Sequence, residues 1–213
     1  MKKVQKALLV LLRAGLWESK IEDLSCFPLS AGEWKNLYLL SRQQTVTGIV
    51  FQGIQHLPEH FLPAEELLVR WMAETDAIER KNMQMNKALE LLVQWFTESG
   101  VQPVLQKGQG IASLYENPLL RECGDIDFYF DSRQMFENAF SLIRQCGLRG
   151  KVQADQSVTY AWKGVEVEHH TCLLDLHNPF LQRYAKELEQ QYGYNHMSFC
   201  LLYTSPSPRD KRQ

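Results

Sequence analysis

Up to about residue 100, apolar positions follow a helical rhythm. Val4, Leu8, Leu11 and Leu12 fall on one face and predict an amphipathic helix near the N-terminus. The stretch "SAGE" at residues 30–33 is a capping box, with Ser30 as N-cap and Glu33 at the third helical position. Trp34, Leu37 and Tyr38 then share a face. A long helix is predicted from near Pro63, a residue suited to a first turn, to Ser99, with Gly100 as its left-handed stop. Inside it Met85, Ala88, Leu89, Leu92 and Trp95 keep the i, i+3, i+4 spacing of a core face. The methionines and tryptophans of this stretch therefore read as packing, and the acids of residues 65–90 as a solvated helix face.

After Gly100 the pattern changes. "VQPVLQKG" predicts a short strand, "QGIASLYEN" a helix after a glycine turn, and "DIDFYF" a strand. "SRQMFENAFSLIRQCG" predicts a helix with Ser132 as cap and Gly147 as stop. "SVTYAWKGVEVEHH" reads as two strands joined at Lys163–Gly164, and residues 179–192 as a last helix. Strands alternating with helices predict an α/β layer behind a helical N-terminal region, with no internal repeat.

Composition narrows the class only a little. The 213 residues are 45% hydrophobic and 23% charged, enough apolar material for one or two globular domains. A net charge of −2 shows no basic excess, so nucleic acid is not an expected partner. "MKKVQKALLVLLRAG" imitates a signal peptide, but its apolar run from Ala7 to Leu12 is short and stops at Arg13. No segment has the length of a membrane span. Five cysteines, at 26, 123, 146, 172 and 200, form no C-x-x-C and are odd in number, which predicts a reducing, cytoplasmic setting rather than a disulfide scaffold. The ending "LLYTSPSPRDKRQ" is Ser/Pro-rich and basic, unlike what precedes it, and resembles a translated sequencing-adapter read-through.

The chemistry sits in "RECGDIDFYF", residues 121–130. Residues i and i+2 of a strand point to the same face, so Asp125 and Asp127 project together while Ile126 faces the core. Like charges at that spacing repel, and a divalent ion between them removes the penalty. Oxygen-only ligands favour Mg²⁺ or Mn²⁺. D-x-D alone is a weak signal, since a strand that starts in solvent carries hydrated aspartates at no cost. Two neighbours strengthen it. Upstream, Lys107–Gly108 stands between a strand and a helix, where free backbone N–H groups can hold a phosphate. Downstream, "GVEVEHH" alternates, with Val165 and Val167 on one face and Glu166, Glu168 and His170 on the other. His169, His170, Cys172 and His177 crowd together but match no zinc-ligand spacing, and alternation sends His169 and His170 to opposite faces. His170 is expected to be a hydrogen-bonded structural histidine, with a helper role near the site as the alternative, and Asp175 to cap a turn before Asn178–Pro179.

The order strand–Gly–helix, D-x-D strand, acid-bearing strand resembles the DNA polymerase beta-like nucleotidyltransferase superfamily. More narrowly, "LQKGQGIASLYENPLLRECGDIDFYF … VEVEHH" resembles the uncharacterised nucleotidyltransferase family over roughly residues 30–180. The resemblance implies an α+β or α/β fold, a helical N-terminal region followed by a mixed sheet flanked by helices. The helical rhythm puts the helical region at residues 1–100, the resemblance a nucleotidyltransferase core at 101–200, and the adapter-like ending an artefactual tail at 201–213 with the core expected to be truncated at its C-terminal side. The resemblance implies Asp125, Asp127 and Glu168 as metal-binding and catalytic carboxylates, and Lys107, Gly108 and Arg121 as nucleotide-binding residues. Mg²⁺ (or Mn²⁺) would be the cofactor. An NTP and a hydroxyl-bearing acceptor, a small molecule or a protein, would be the partners in two-metal nucleotidyl transfer. Two departures stand against the pattern: Gln109 occupies a position that is small in the superfamily, and the third acid is Glu rather than Asp, with Glu166 on the same face. A non-catalytic nucleotide-binding or regulatory module that keeps the fold is the alternative reading.

Overall fold

The computed structural model describes residues 2–173 and 178–193 and divides into two compact units. The first comprises Met1–Gln84 with Ile111–Cys123, and the second Met85–Gly110 with the described residues from Gly124 onward. The C-terminal stretch from residue 201, Cys200, Asp175 and His177 lie outside the described residues. No helix of the described residues is long and apolar enough to cross a membrane.

In the first unit, α1 (Lys3–Trp17) buries Leu8 and Leu11, and Val4 and Leu12 of the predicted face pack partly buried against the same core. Helix α2 (Ala31–Gln43) starts at the predicted capping box: the Glu33 N–H donates to Ser30 Oγ, and the Ser30 N–H donates to Glu33 Oε2 at 2.7 Å. Trp34, Leu37 and Tyr38 are buried from it. Helix α3 (Thr47–Ile54) was not legible in the sequence. Every residue of it except Gln52 is buried, so it lacks the polar stripe that gives a helix its period. It lies against α1 at backbone distance. A methyl group added to Gly15 would overlap the Ile49 carbonyl oxygen, and one added to Gly53 would overlap that of Leu11. Helix α4 (Glu65–Glu98) gives this unit its residues up to Gln84, and the Trp71 indole, wholly buried, donates to the Thr47 carbonyl at 2.9 Å.

The second unit begins with the rest of α4. That helix ends as predicted at Gly100, whose φ is +76°: Gly100 N–H donates to the Thr97 carbonyl and Val101 N–H to that of Phe96. Its sheet contains β1 (Val104–Leu105), β2 (Ile126–Tyr129), β3 (Lys151–Val152), β4 (Val158–Trp162) and β5 (Val165–His170), in the order β1-β2-β5-β4-β3. Only β2–β5 is a parallel pair; the other three are antiparallel. Strands β4 and β5 form the predicted hairpin, with Lys163 at φ +49° and Gly164 at +80°, the double positive φ of a tight two-residue turn. Between β1 and β2 the predicted helix "QGIASLYEN" shrinks to one turn, α5 (Gln109–Ala112), and a 3₁₀ turn at Pro118–Leu120 follows. Helix α6 (Arg133–Gln145) is capped by Ser132 and stopped by Gly147 at φ +76°, and α7 (Pro179–Tyr192) is the last element.

Strand alternation sorts the sheet's two faces. Ile126, Phe128, Val167 and His169 face one way, where Phe96 of α4 and Phe136 of α6 meet them in an aromatic cluster. Along α4, Met85, Ala88, Leu89 and Leu92 are buried as expected, and Phe96 completes the face, whereas Trp95 is half-buried and stacks on Trp162 at 5.5 Å. Burying each such large side chain contributes about 1.5–3 kcal/mol. Asp127, Glu168 and His170 face the other way.

The α1–α3 approach yields a direct test. Gly53→Ala, and equally Gly15→Ala, is expected to destabilise the protein by about 1–3 kcal/mol or more in urea denaturation, since backbone cannot move aside for a methyl group. Gly32→Ala, where nothing lies within 4 Å, is expected to be neutral or stabilising by up to about 1 kcal/mol. Equal effects at Gly53 and Gly32 would contradict the close packing.

Candidate active site

The site is built on the parallel pair. Register places Asp127 of β2 directly beside Glu168 of β5, with Ile126 beside Val167. Neighbouring strands lie about 4.8 Å apart, so carboxylates at paired positions share one small space. Asp127 is 1% exposed, while Glu168 is 24% exposed and His170 21%. Asp127 Oδ1 receives two donors: His170 Nε2 at 3.0 Å and the Lys107 ammonium at 3.2 Å. Asp127 Oδ2 is buried and has no hydrogen-bond partner among the described residues. Glu168 Oε1 accepts from Ser157 Oγ at 2.9 Å, and Glu168 Oε2 lies 3.7 Å from His170 Nε2.

Electrostatics follows from that geometry. Burial pushes the Asp127 carboxyl up, but the His170 and Lys107 hydrogen bonds and charges outweigh it, and the net direction is below the ordinary carboxylate range. Asp125, half-buried just before β2, is pushed up by burial and then by the Asp127 charge and, more weakly, Glu168, against the pull of Lys107. The hydrogen bond that His170 donates to Asp127 raises the His170 pKa, opposed by burial. His169 on the other face behaves oppositely: burial pushes it down to about 3, so it stays neutral, and its Nε2 lies 2.9 Å from the Tyr160 hydroxyl.

The site residues singled out in the sequence lie among the described residues. Lys107 reaches Asp127 from the turn after β1, and the Gln106 N–H donates to the Asp127 carbonyl, tying that turn to β2. Gly108 has φ +63°, which an L side chain rarely adopts. Gln109 is buried and donates through Nε2 to Met85 Sδ, so the bulky departure from the family pattern is spent on packing. Glu166, the rival third acid, is exposed and pairs across β4 with Ala161. Arg121 belongs to the first unit, where its guanidinium donates to Cys123 Sγ and its carbonyl accepts from Asn82. His170, expected to be a hydrogen-bonded histidine or a helper near the site, hydrogen-bonds to Asp127 there. One residue escaped sequence reasoning. Ser157 was not singled out; an Asx turn on Asp155, whose Oδ1 accepts from the Ser157 N–H, sets it beside Glu168.

With this geometry in hand, the comparison with known families is specific. The chain belongs to the uncharacterised nucleotidyltransferase family, whose pattern matches residues 30–210, and this membership gives it a general role in nucleotidyl transfer. No curated protein and no solved structure matches it.

The ion pair on Asp127 gives a pH-dependent expectation in metal-free protein. A carboxyl depressed on folding contributes stability above its unfolded pKa and loses it as pH falls through the folded one. The groups that act on it are Lys107, His170, Asp125 and Glu168. Lys107→Met is therefore expected to cost up to about 1 kcal/mol at pH 7, limited by the exposed lysine's screening. The gap from the unaltered protein should narrow in acid, as pH falls through the depressed folded-state pKa of Asp127 and the carboxyl takes up its proton. Urea denaturation with chelator at pH 7 and in acid measures it; a gap that widens in acid would contradict the pairing.

Proposed function

We propose that the chain moves a nucleotidyl group from an NTP to a hydroxyl acceptor and releases pyrophosphate, with Asp125, Asp127 and Glu168 as the carboxylates of a divalent-metal site. The observation that carries the reading is the paired position of Asp127 and Glu168 on one sheet face, with Asp127 Oδ2 buried and unpartnered among the described residues. A buried carboxylate oxygen without a donor is costly, and hard oxygen donors of this kind suit Mg²⁺ or Mn²⁺. The donor set therefore fits the cofactor that nucleotidyl transfer requires.

In this reading Asp127 and Glu168 would hold the ion, and Asp125, which is not in the cluster of donor atoms formed by Asp127, Glu168 and His170, would add its charge from just before β2. The bound ion supplies charge stabilisation at the phosphoryl oxygens and lowers the pKa of the attacking hydroxyl. The protein's groups do the rest. Glu168, fixed through Oε1 by Ser157, would hold the ion beside the acceptor and help take up its hydroxyl proton. Lys107, its side chain 57% exposed, is a flexible point charge able to exchange Asp127 for a phosphate oxygen. The turn at Gly108 brings backbone close to the phosphates without a side chain in the way.

Titration calorimetry with ATP, GTP, CTP and UTP, with and without Mg²⁺, tests the proposal. Binding of at least one NTP is expected to need the metal, since carboxylates repel phosphate without it, and Asp127→Asn is expected to lower turnover by at least about 10²-fold through the loss of several kcal/mol of charge stabilisation. Metal-independent NTP binding with no turnover would favour the non-catalytic module instead.

A further inference from the structure

We propose that His170 is a nitrogen ligand of the same cation site, through Nε2, and that it biases the site toward Mn²⁺ over Mg²⁺. The inference rests on the metal-site reading above and adds a ligand to it. One donor atom each from Asp127, Glu168 and His170 lies within 4.8 Å of the others. Ligands about 2.1 Å from one ion stand about 3 Å apart when adjacent and about 4.2 Å when opposite. The separations of His170 Nε2 from Asp127 Oδ1, 3.0 Å, and from Glu168 Oε2, 3.7 Å, fall in that window. Two further features bear on the donors. Ser157 fixes Glu168 by Oε1 and leaves Oε2 on the His170 side. Asp127 Oδ2, in a side chain 1% exposed, has no partner among the described residues.

A purely structural histidine would satisfy one carboxylate oxygen and stop there. Asp127 Oδ1, however, already receives the Lys107 ammonium, so His170 duplicates a donor on the oxygen that has one and leaves the orphan untouched. A single cation among Asp127, Glu168 and His170 accounts for all three donors at once. When Nε2 binds it, the proton that now points at Asp127 leaves or moves to Nδ1, as metal binding to histidine requires. The imidazole is a softer donor than carboxylate. It adds little for Mg²⁺, which prefers oxygen and keeps its waters, and more for a transition ion.

The test uses the full chain stripped with chelator and reloaded with Mn²⁺. Pulsed electron paramagnetic resonance on the Mn²⁺-loaded protein is expected to show ¹⁴N modulation from a bound imidazole, lost in His170→Gln. Free-Mn²⁺ signals, with Mg²⁺ as competitor, are expected to show Mn²⁺ affinity falling about 10–100-fold in His170→Gln while Mg²⁺ affinity changes far less. Tight Mn²⁺ binding without ¹⁴N modulation, or an unchanged Mn²⁺/Mg²⁺ ratio in the variant, would overturn the assignment of His170. The spectrum of the unaltered protein decides the ligand question even if the variant does not fold. Mn²⁺ binding that survives Asp127→Asn would instead overturn the carboxylate site itself, so the two readings fail separately.

Discussion

Asp127 and Glu168 meet because β2 and β5 run parallel in one register, and the site depends on that register. A slip of one residue would turn every side chain of β5 to the opposite face. Glu168 would then enter the cluster of Phe96, Phe128 and Phe136, and Val167 would face Asp127. The apolar alternation of Val165, Val167 and His169 opposite Ile126 and Phe128 forbids the slip, since it would expose those chains and bury a carboxylate without partners. The aromatic core thus does more than stabilise: it fixes which acid stands beside which.

The same face carries the cost of its chemistry. Asp127 is nearly inaccessible, and it stays ionised only because His170 and Lys107 converge on one of its oxygens. The lysine is an adjustable counter-charge, tethered by a flexible stem to a turn that Gly108 shapes. Asp125 lies where burial and its neighbour both disfavour ionisation, so added positive charge is what would bring both aspartates into service together. A site that is electrostatically unsatisfied by its own side chains is poised for a cation and an anionic substrate.

Much of this was legible in the sequence where the signal is local. The Ser30–Glu33 box, the stops at Gly100 and Gly147, the Lys163–Gly164 hairpin and the shared face of Glu168 and His170 each depend on residues a few positions apart. The helical N-terminal region follows from such signals, and the mixed sheet with flanking helices, which the resemblance implied, is present in the structure. What the sequence hid depends on partners far away. Helix α3 is apolar nearly all round because α1 covers it at Gly15 and Gly53, so no period marks it. Strand β3 is two exposed residues, too short for a pattern. Ser157 reaches Glu168 across 11 positions and His170 reaches Asp127 across 43, both through strand pairing, and no local rule assigns such partners.

The most direct test of the central claim is a crystal structure of the chain soaked with Mn²⁺ and a non-hydrolysable NTP, with anomalous scattering recorded at the manganese edge. The account predicts an anomalous peak bound by carboxylate oxygens of Asp127 and Glu168, with nucleotide phosphate completing its coordination. A peak held by Glu166 instead, or nucleotide bound with no manganese beside Asp127, would contradict it.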